Sequence, residues 1–344
     1  MRKTLFTCLL AFGALASYAQ VDLSKYLLQN YGFDQDFDYK ASQSNEVTQE
    51  IKDVKGWTAN LSANYTIVGT YEYGFKGTFN TASVPAKGYN GEAGGGLAIS
   101  TGWEQTFLFS QEVTLPAGTY TIKAPTYNGS NVTAATSQLA WIPNAGTSKK
   151  STVTSYSANT WTLDKITFTL NTTTKGKIQF GMKAAAGGSA NTAKLVVDYV
   201  QILGENVAAD KSQLNATIAS ANKYYGNGNG NGAADLKSAI TAAQTIADKA
   251  DADIIAIYEA TSALEEAISA YRNLNISEDN PIDKTEYILN NSFEDGTKNW
   301  TVDGLVSQGN SSFTKKEGSK YIEKWVGQGN NVGIRIAQAP VVAV

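Results

Sequence analysis

Apolar and polar positions alternate at period two along Thr106 to Ala124, TFLFSQEVTLPAGTYTIKA. Phe107, Phe109, Gln111, Val113 and Leu115 share one side; Leu108, Ser110, Glu112 and Thr114 share the other. Pro116, Ala117 and Gly118 interrupt the run, and Tyr120, Ile122 and Ala124 resume the apolar side. Alternation on both sides of a short Gly-containing break predicts a β-hairpin. A strand with one apolar side needs a second layer to cover it, so the pattern also predicts a sandwich.

Similar short alternating runs fill residues 20–205. They are Asn64 to Phe79, Ala98 to Trp103, Leu139 to Ile142, Trp161 to Leu170, Lys177 to Lys183 and Lys194 to Leu203. Gly91 to Gly96 and Asn128 to Asn131 read as loops between them. From Val207 the period changes to that of a helix: Leu214, Ile218 and Ala221; Leu236, Ile240 and Ala243; Ile257, Thr261, Leu264, Ile268 and Tyr271. The run Gly226 to Gly232, GNGNGNG, separates the first two stripes, and Asp251 and Asp253 are candidate N-caps of the third. Short connections between three stripes predict a three-helix bundle over 206–274, followed by a polar linker at 275–284.

From residue 285 the β texture returns and echoes the first domain in order. Asn291-Ser292-Phe293-Glu294 echoes Asn30-Tyr31-Gly32-Phe33-Asp34, and Asn299-Trp300 echoes Gly56-Trp57. Tyr321 to Trp325 echoes Leu97 to Trp103, and Ile336 to Val341 echoes Phe109 to Thr114. The expected architecture is therefore multidomain: an all-β sandwich, an α three-helix bundle, then an incomplete second β-sandwich at 285–344. The echo stops before the second arm of the central alternation, so Val341, Val342 and Val344 would form an open apolar edge. The sequence is expected to be a fragment of a longer chain.

Composition narrows the chemistry. The 344 residues, 42% of them hydrophobic, leave room for two or three domains. There is no histidine, which removes Ser-His-Asp triads and histidine metal sites. The net charge of −3 argues against a nucleic-acid partner. Residues 1–19 read as a secretory signal peptide: Arg2 and Lys3, an apolar run from Leu5 to Leu15, and Ser17-Tyr18-Ala19 before Gln20. The run is too short for membrane insertion as a span. The sole cysteine, Cys8, lies inside it, so a secreted mature chain would carry no thiol.

The ordered motifs Asn30-x-Gly32-Phe33-Asp34, Trp57, Gln111-Glu112-Val113-x-Leu115-Pro116-Ala117-Gly118-Thr119-Tyr120, Trp161 with Ile166-Thr167-Phe168, and Val197-Asp198-Tyr199-Val200 resemble the galactose-binding-like carbohydrate-binding modules of secreted bacterial proteins. Residues 207–272 resemble the small three-helix FIVAR spacer modules. The first resemblance implies a jelly-roll fold, a polysaccharide or glycan partner and a structural calcium between opening and closing strands. The matching carboxylates are Asp34 and Asp198, with backbone carbonyls needed to complete the six to eight oxygens calcium takes. Asp34 departs from the family, which has Glu there. Asp34-x-Asp36-x-Asp38 is not an EF-hand loop, because Tyr39 and Asn45 stand where Gly and Glu are required.

Sugar recognition needs flat aromatic faces and polar groups that grip hydroxyls. Trp141, Tyr127, Tyr71 and Tyr73 are the candidate carbohydrate-binding residues; Trp57, Trp103 and Trp161 are expected to be structural. Gly91 to Gly96 lacks the Lys and the helix of a phosphate loop. Three functions are compatible: a secreted non-catalytic glycan-binding protein, the N-terminal accessory part of a secreted glycoside hydrolase whose catalytic carboxylates lie beyond Val344, and an adhesive or structural surface protein.

Overall fold

The computed structural model describes residues 20–34, 36–48, 50–61, 66–79, 82–101, 106–129, 135–184 and 193–277, and beyond these 285, 288–291, 293, 297–303, 307–308, 322–323 and 335–338. The expected signal peptide, Trp103 and the apolar edge at Val341 to Val344 lie outside the described residues. Among the described residues no helix is long and apolar enough to cross a membrane. One compact unit holds the described residues up to 219 together with 241–263; the other holds 220–240 and the described residues from 264 onward.

The first unit is a β-sandwich. Its larger sheet has eight strands: β1 (Val21–Asp22), β16 (Gln201–Glu205), β9 (Gly118–Asn128), β15 (Ala193–Val197), β7 (Gly95–Thr101), β5 (Thr66–Glu72) and β3 (Glu50–Ile51), with β13 (Thr160–Leu170) along the other side of β9. The smaller sheet has six: β12 (Lys149–Lys150), β11 (Ala140–Pro143), β14 (Thr174–Ala184), β8 (Thr106–Leu115) and β4 (Thr58–Leu61), with β10 (Ala135–Ser137) also on β14. A short parallel pair, β2 (Glu46–Val47) with β6 (Thr78–Phe79), and a one-turn helix, α1 (Ser24–Leu27), complete it. One core joins the sheets: Leu97, Ile99, Ile122, Ile166 and Ile202 from the larger, Phe107, Phe109, Leu115, Ile178 and Phe180 from the smaller. Each such fully buried side chain contributes roughly 1.5–3 kcal/mol before chain entropy is counted.

The stretch Thr106 to Ala124 is not a hairpin. Its arms β8 and β9 lie in different sheets, β8 paired with β14 over ten residues and β9 with β13 over eleven. Pro116 offers no N–H to a ladder, and the buried Tyr120 hydroxyl donates back to the Pro116 carbonyl at 2.8 Å. That bond fixes the corner so that both arms turn the same apolar side into one core. Alternation reports which side is apolar; it does not report whether the next strand continues in the plane of the sheet or crosses to the facing one.

Three helices occupy the stretch where helical spacing appears: α2 (Ser212–Tyr225), α3 (Ala233–Asp248) and α4 (Ile254–Leu274). Every stripe residue named above is buried except Ile268, which is half-buried. Asp253 caps α4 by accepting from the Ala256 N–H at 2.9 Å; Asp251 instead lies 3.8 Å from the Lys249 ammonium at the surface. In the first unit, Lys211 donates to the carbonyls of Ala247 and Lys249, so the start of α2 meets the end of α3. The first turns of α4 also pack on the sandwich: Ile254 joins its core, and Tyr258 stacks on Tyr26 of α1 at 5.3 Å. In the second unit, Asn231 and Asn275 exchange hydrogen bonds, so the start of α3 meets the end of α4.

Beyond the helices, β17 (Thr301–Asp303) pairs with β20 (Arg335–Ala337), and β18 (Ser307–Gln308) with β19 (Ile322–Glu323). Here a bonding pattern from the first unit recurs. Trp57 Nε1 donates to the Asn30 carbonyl at 3.2 Å, and Trp300 Nε1 to the Asn290 carbonyl at 3.0 Å. Asn30 Nδ2 reaches the Lys55 carbonyl, and Asn290 Nδ2 the Lys298 carbonyl. Gln111 Nε2 donates to the Gln29 carbonyl, and Gln338 Nε2 to that of Leu289. Asn30 and Phe33 sit at φ of 47° and 51°, Asn290 and Phe293 at 51° and 59°, in a region non-glycine residues seldom occupy. The counterpart of Asn30 is therefore Asn290, one residue earlier than the Asn291 suggested by the sequence.

Candidate functional site: a ledge on the larger sheet

The outer face of the larger sheet is divided. Over β5, β7 and β15 it is covered by the chain segments around Tyr39–Val47 and Phe75–Val84, which form a second apolar core. Its centre is Phe79, with the rings of Tyr39, Phe75 and Tyr71 at 5.2, 5.4 and 5.8 Å. Tyr39 is tied to the sheet edge by its N–H to the Thr70 carbonyl and its carbonyl to the Glu72 N–H. Over β9, β13 and β16 the same face carries Thr119, Thr121, Lys123, Lys165, Thr167 and Thr169, outside that apolar covering. The covering thus forms a wall, and the uncovered strands form a ledge at its foot.

A bulge sets the chemistry at the wall's end. Val197 pairs with Thr126 and Gln201 with Lys123, so three residues, Asp198 to Val200, oppose two, Ala124 and Pro125. Pro125 can give no N–H there, and only its carbonyl is used, by the Asp198 N–H at 3.0 Å. The extra residue shifts the alternation by one: Leu195 and Val197 face the core before the bulge, Val200 and Ile202 after it. Lys194 to Leu203 is therefore two strands rather than the continuous run its alternation suggests. The shift leaves both Asp198 and Tyr199 lining a cleft of about 260 Å³.

The cleft's other walls are the loop after α1, with Tyr31 and Asp34, the Gly-rich approach to β7, with Asn90 and Glu92, and Asp22 and Gln201 from the sheet edge. Asp198 is only 7% exposed. The Tyr73 hydroxyl donates to its Oδ1 at 2.5 Å and the Tyr89 N–H to its Oδ2 at 2.7 Å. A Cβ at Gly88 would stand 2.9 Å from both carboxylate oxygens, so this approach requires glycine. Burial raises the Asp198 pKa above the ordinary carboxylate range, against the lowering effect of its two donors. Burial, then the Asp198 charge, also raises the Tyr199 phenol. Asp22 accepts from the Ser24 N–H and from Gln201 Nε2 at 2.7 Å.

Beside this cleft stands an aromatic trio. Tyr127 and Trp161 are directly opposed on β9 and β13, rings 5.5 Å apart; Tyr89 meets Trp161 edge-on at 6.2 Å. All three are half-buried, and Tyr127 and Trp161 rest against the wall. Tyr89 connects the trio to the cleft through its N–H on Asp198.

The structure separates the candidate sugar-binding residues. Tyr127 joins the trio. Trp141 is 1% exposed in the inter-sheet core, where its ring lies parallel to that of Phe168 at 5.6 Å. Tyr71 and Tyr73, 0% and 9% exposed, lie beneath the wall. A ring with no open face cannot stack on a sugar, so Trp141, Tyr71 and Tyr73 are corrected to packing residues. Trp161, expected to be structural, stands at the ledge; the signal was its outward position on β13, on the side opposite Ile166 and Phe168. Tyr89, Tyr31 and Tyr199 had no periodic signal, because a loop and a bulge place them.

Asp34 and Asp198 line the same cleft, as a shared calcium site requires. The donor set nevertheless fits calcium poorly. Both Asp198 oxygens accept hydrogen bonds, burial favours the neutral acid, and among the described residues no three acidic side chains converge as metal ligands. Asp38 serves the backbone, accepting from the Thr70 N–H at 2.8 Å.

No protein-family model matches the chain, and no curated protein does. Among solved structures it is similar to TmCBM61 in complex with beta-1,4-galactotriose, with 16% identity, 52% of this chain and 97% of that one covered, and a TM-score of 0.34. It is similar to the CBM22-1–CBM22-2 tandem domain of Paenibacillus barcinonensis Xyn10C, with 12% identity, coverage of 57% and 49%, and a TM-score of 0.33. A CBM4 structure aligns at 13% identity, covering 52% and 99%, with a TM-score of 0.29. At these values the likenesses carry no argument about the ligand.

Proposed function

We propose that this chain is a secreted, non-catalytic glycan-binding protein that holds saccharide along the ledge of its β-sandwich. The observation that carries the reading is the half-open trio Tyr89, Tyr127 and Trp161 standing beside a polar cleft. Flat aromatic faces accept the C–H faces of a pyranose ring, and nearby carboxylates and amides grip its hydroxyls. Tyr31 and Tyr199 extend the aromatic surface into the cleft, where Asn90, Glu92 and Gln201 supply polar contacts. Asp198, held by two donors, acts as a fixed acceptor and as the anchor of Tyr89, not as a proton shuttle. The helices act as a spacer toward the repeated motif.

The test is Trp161→Ala on a glycan array and in pull-down with insoluble polysaccharides. Binding should fall at least tenfold, the scale of a buried aromatic anchor, while the unfolding midpoint stays near that of the parent. Undiminished binding by a folded variant would sink the reading.

A further inference from the structure

Along the uncovered ledge, the cross-strand partners of β9 and β13 form a row of outward pairs. Tyr127 faces Trp161, an aromatic pair. Pro125 faces Leu163, both apolar. Thr121 and Thr167 share a hydroxyl hydrogen bond at 3.1 Å, and Thr119 and Thr169 another at 3.0 Å. Each of these four pairs satisfies itself. The fifth does not: Lys123 faces Lys165 in the middle of the row. Like charges directly opposite on one sheet face repel. Among the described residues neither lysine makes an ion pair, whereas Lys25, Lys52, Lys175 and Lys249 each do. Gln201, on the other side of Lys123, is engaged with Asp22.

Resting on the glycan-binding reading, the geometry points to an anionic saccharide as the ligand, with a carboxylate or sulfate seated between Lys123 and Lys165. Lys165 lies four residue steps along β13 from Trp161, about 13 Å along the sheet, a span of two to three sugar units. A chain stacked on the trio and running down the ledge brings its acidic group over the lysine pair. The exposed Thr167 lies one pair further on and binds the same or the next ring. Gln201, beside Lys123, also lines the cleft, with the acidic side chains Asp22, Asp34 and Glu92.

The experiment is calorimetric titration of the full chain with oligogalacturonate, with its fully methyl-esterified form, and with a sulfated galactan oligomer beside its desulfated form. The acidic form of at least one pair should bind tenfold or more tighter at low salt, and which pair responds tells uronate from sulfate. Lys123→Gln with Lys165→Gln should abolish that preference and leave the neutral form's affinity unchanged. Raising salt from about 20 to about 200 mM should narrow it. Equal binding of charged and neutral forms, or a preference that survives the double substitution, overturns the inference while leaving the glycan-binding reading intact. If no acidic or neutral form binds, both fall.

Discussion

The two halves of the larger sheet's outer face are built from the same kind of strand and have opposite fates. On β5 and just past its end, Tyr71 and Tyr73 lie beneath a wall and contribute to stability. Over β9 and β13, Thr119, Lys123, Lys165, Thr167 and Thr169 stay at least partly exposed, and the half-buried Tyr127 and Trp161 gather where the wall ends. An aromatic residue on a strand is therefore neither core nor platform by itself. What lies above it decides, and that is set by other chain segments, one of them, Tyr39–Val47, more than twenty residues away from Tyr71.

This contrast can be attacked in order of expected effect. Phe79→Ala removes the ring on which Tyr39, Tyr71 and Phe75 converge, and should cost about 3–5 kcal/mol in denaturant unfolding. A loss below about 1 kcal/mol would show that the wall is not packed on the sheet. Trp141→Ala, in the inter-sheet core, should cost a similar amount while the folded fraction keeps its glycan affinity. Trp161→Ala should do the reverse, changing stability by about 0.5–1 kcal/mol and removing binding. A smaller effect is expected at Asp198. Its pKa is raised in the folded state, so the folded protein binds the proton more tightly than the unfolded chain. Stability from this group is present at low pH and is lost as pH rises through the unfolded carboxylate value toward the raised one. Asp198→Asn should flatten that segment of the stability–pH curve; an unchanged slope would contradict the assignment. The least effect is expected from calcium. Its addition or chelation should leave the melting temperature unchanged, and a rise of several degrees would restore the cation site at Asp34 and Asp198.

The fold was legible where periodicity is strong. The strand runs Thr106 to Leu115 and Trp161 to Leu170 and the three helical stripes all form, because each buries one face and composition records which face. Connectivity was not legible, since Pro116 marks a corner without saying into which sheet the chain turns. The bulge at Asp198 was hidden for a related reason: in Leu195 to Leu203 apolar residues are so frequent that a one-residue shift in alternation leaves no trace. The candidate site was legible only through Tyr127 and the cleft residues Asp34 and Asp198. Trp141, Tyr71 and Tyr73 misled because local sequence cannot see a covering layer, and Tyr89 was invisible because loop residues have no period.

The recurring tryptophan–asparagine–glutamine bonds have a consequence for how such a module can change. Their acceptors are main-chain carbonyls, so they place few demands on the identity of the intervening side chains. The two copies already differ in what they bracket: 27 positions separate Asn30 from Trp57, but only 10 separate Asn290 from Trp300. The longer bracket contains Tyr39 and Val47, which build one side of the wall. The bracket works as a socket: a segment exchanged between its two fixed ends would redraw the ledge's boundary, and with it the choice of ligand, on an unaltered scaffold.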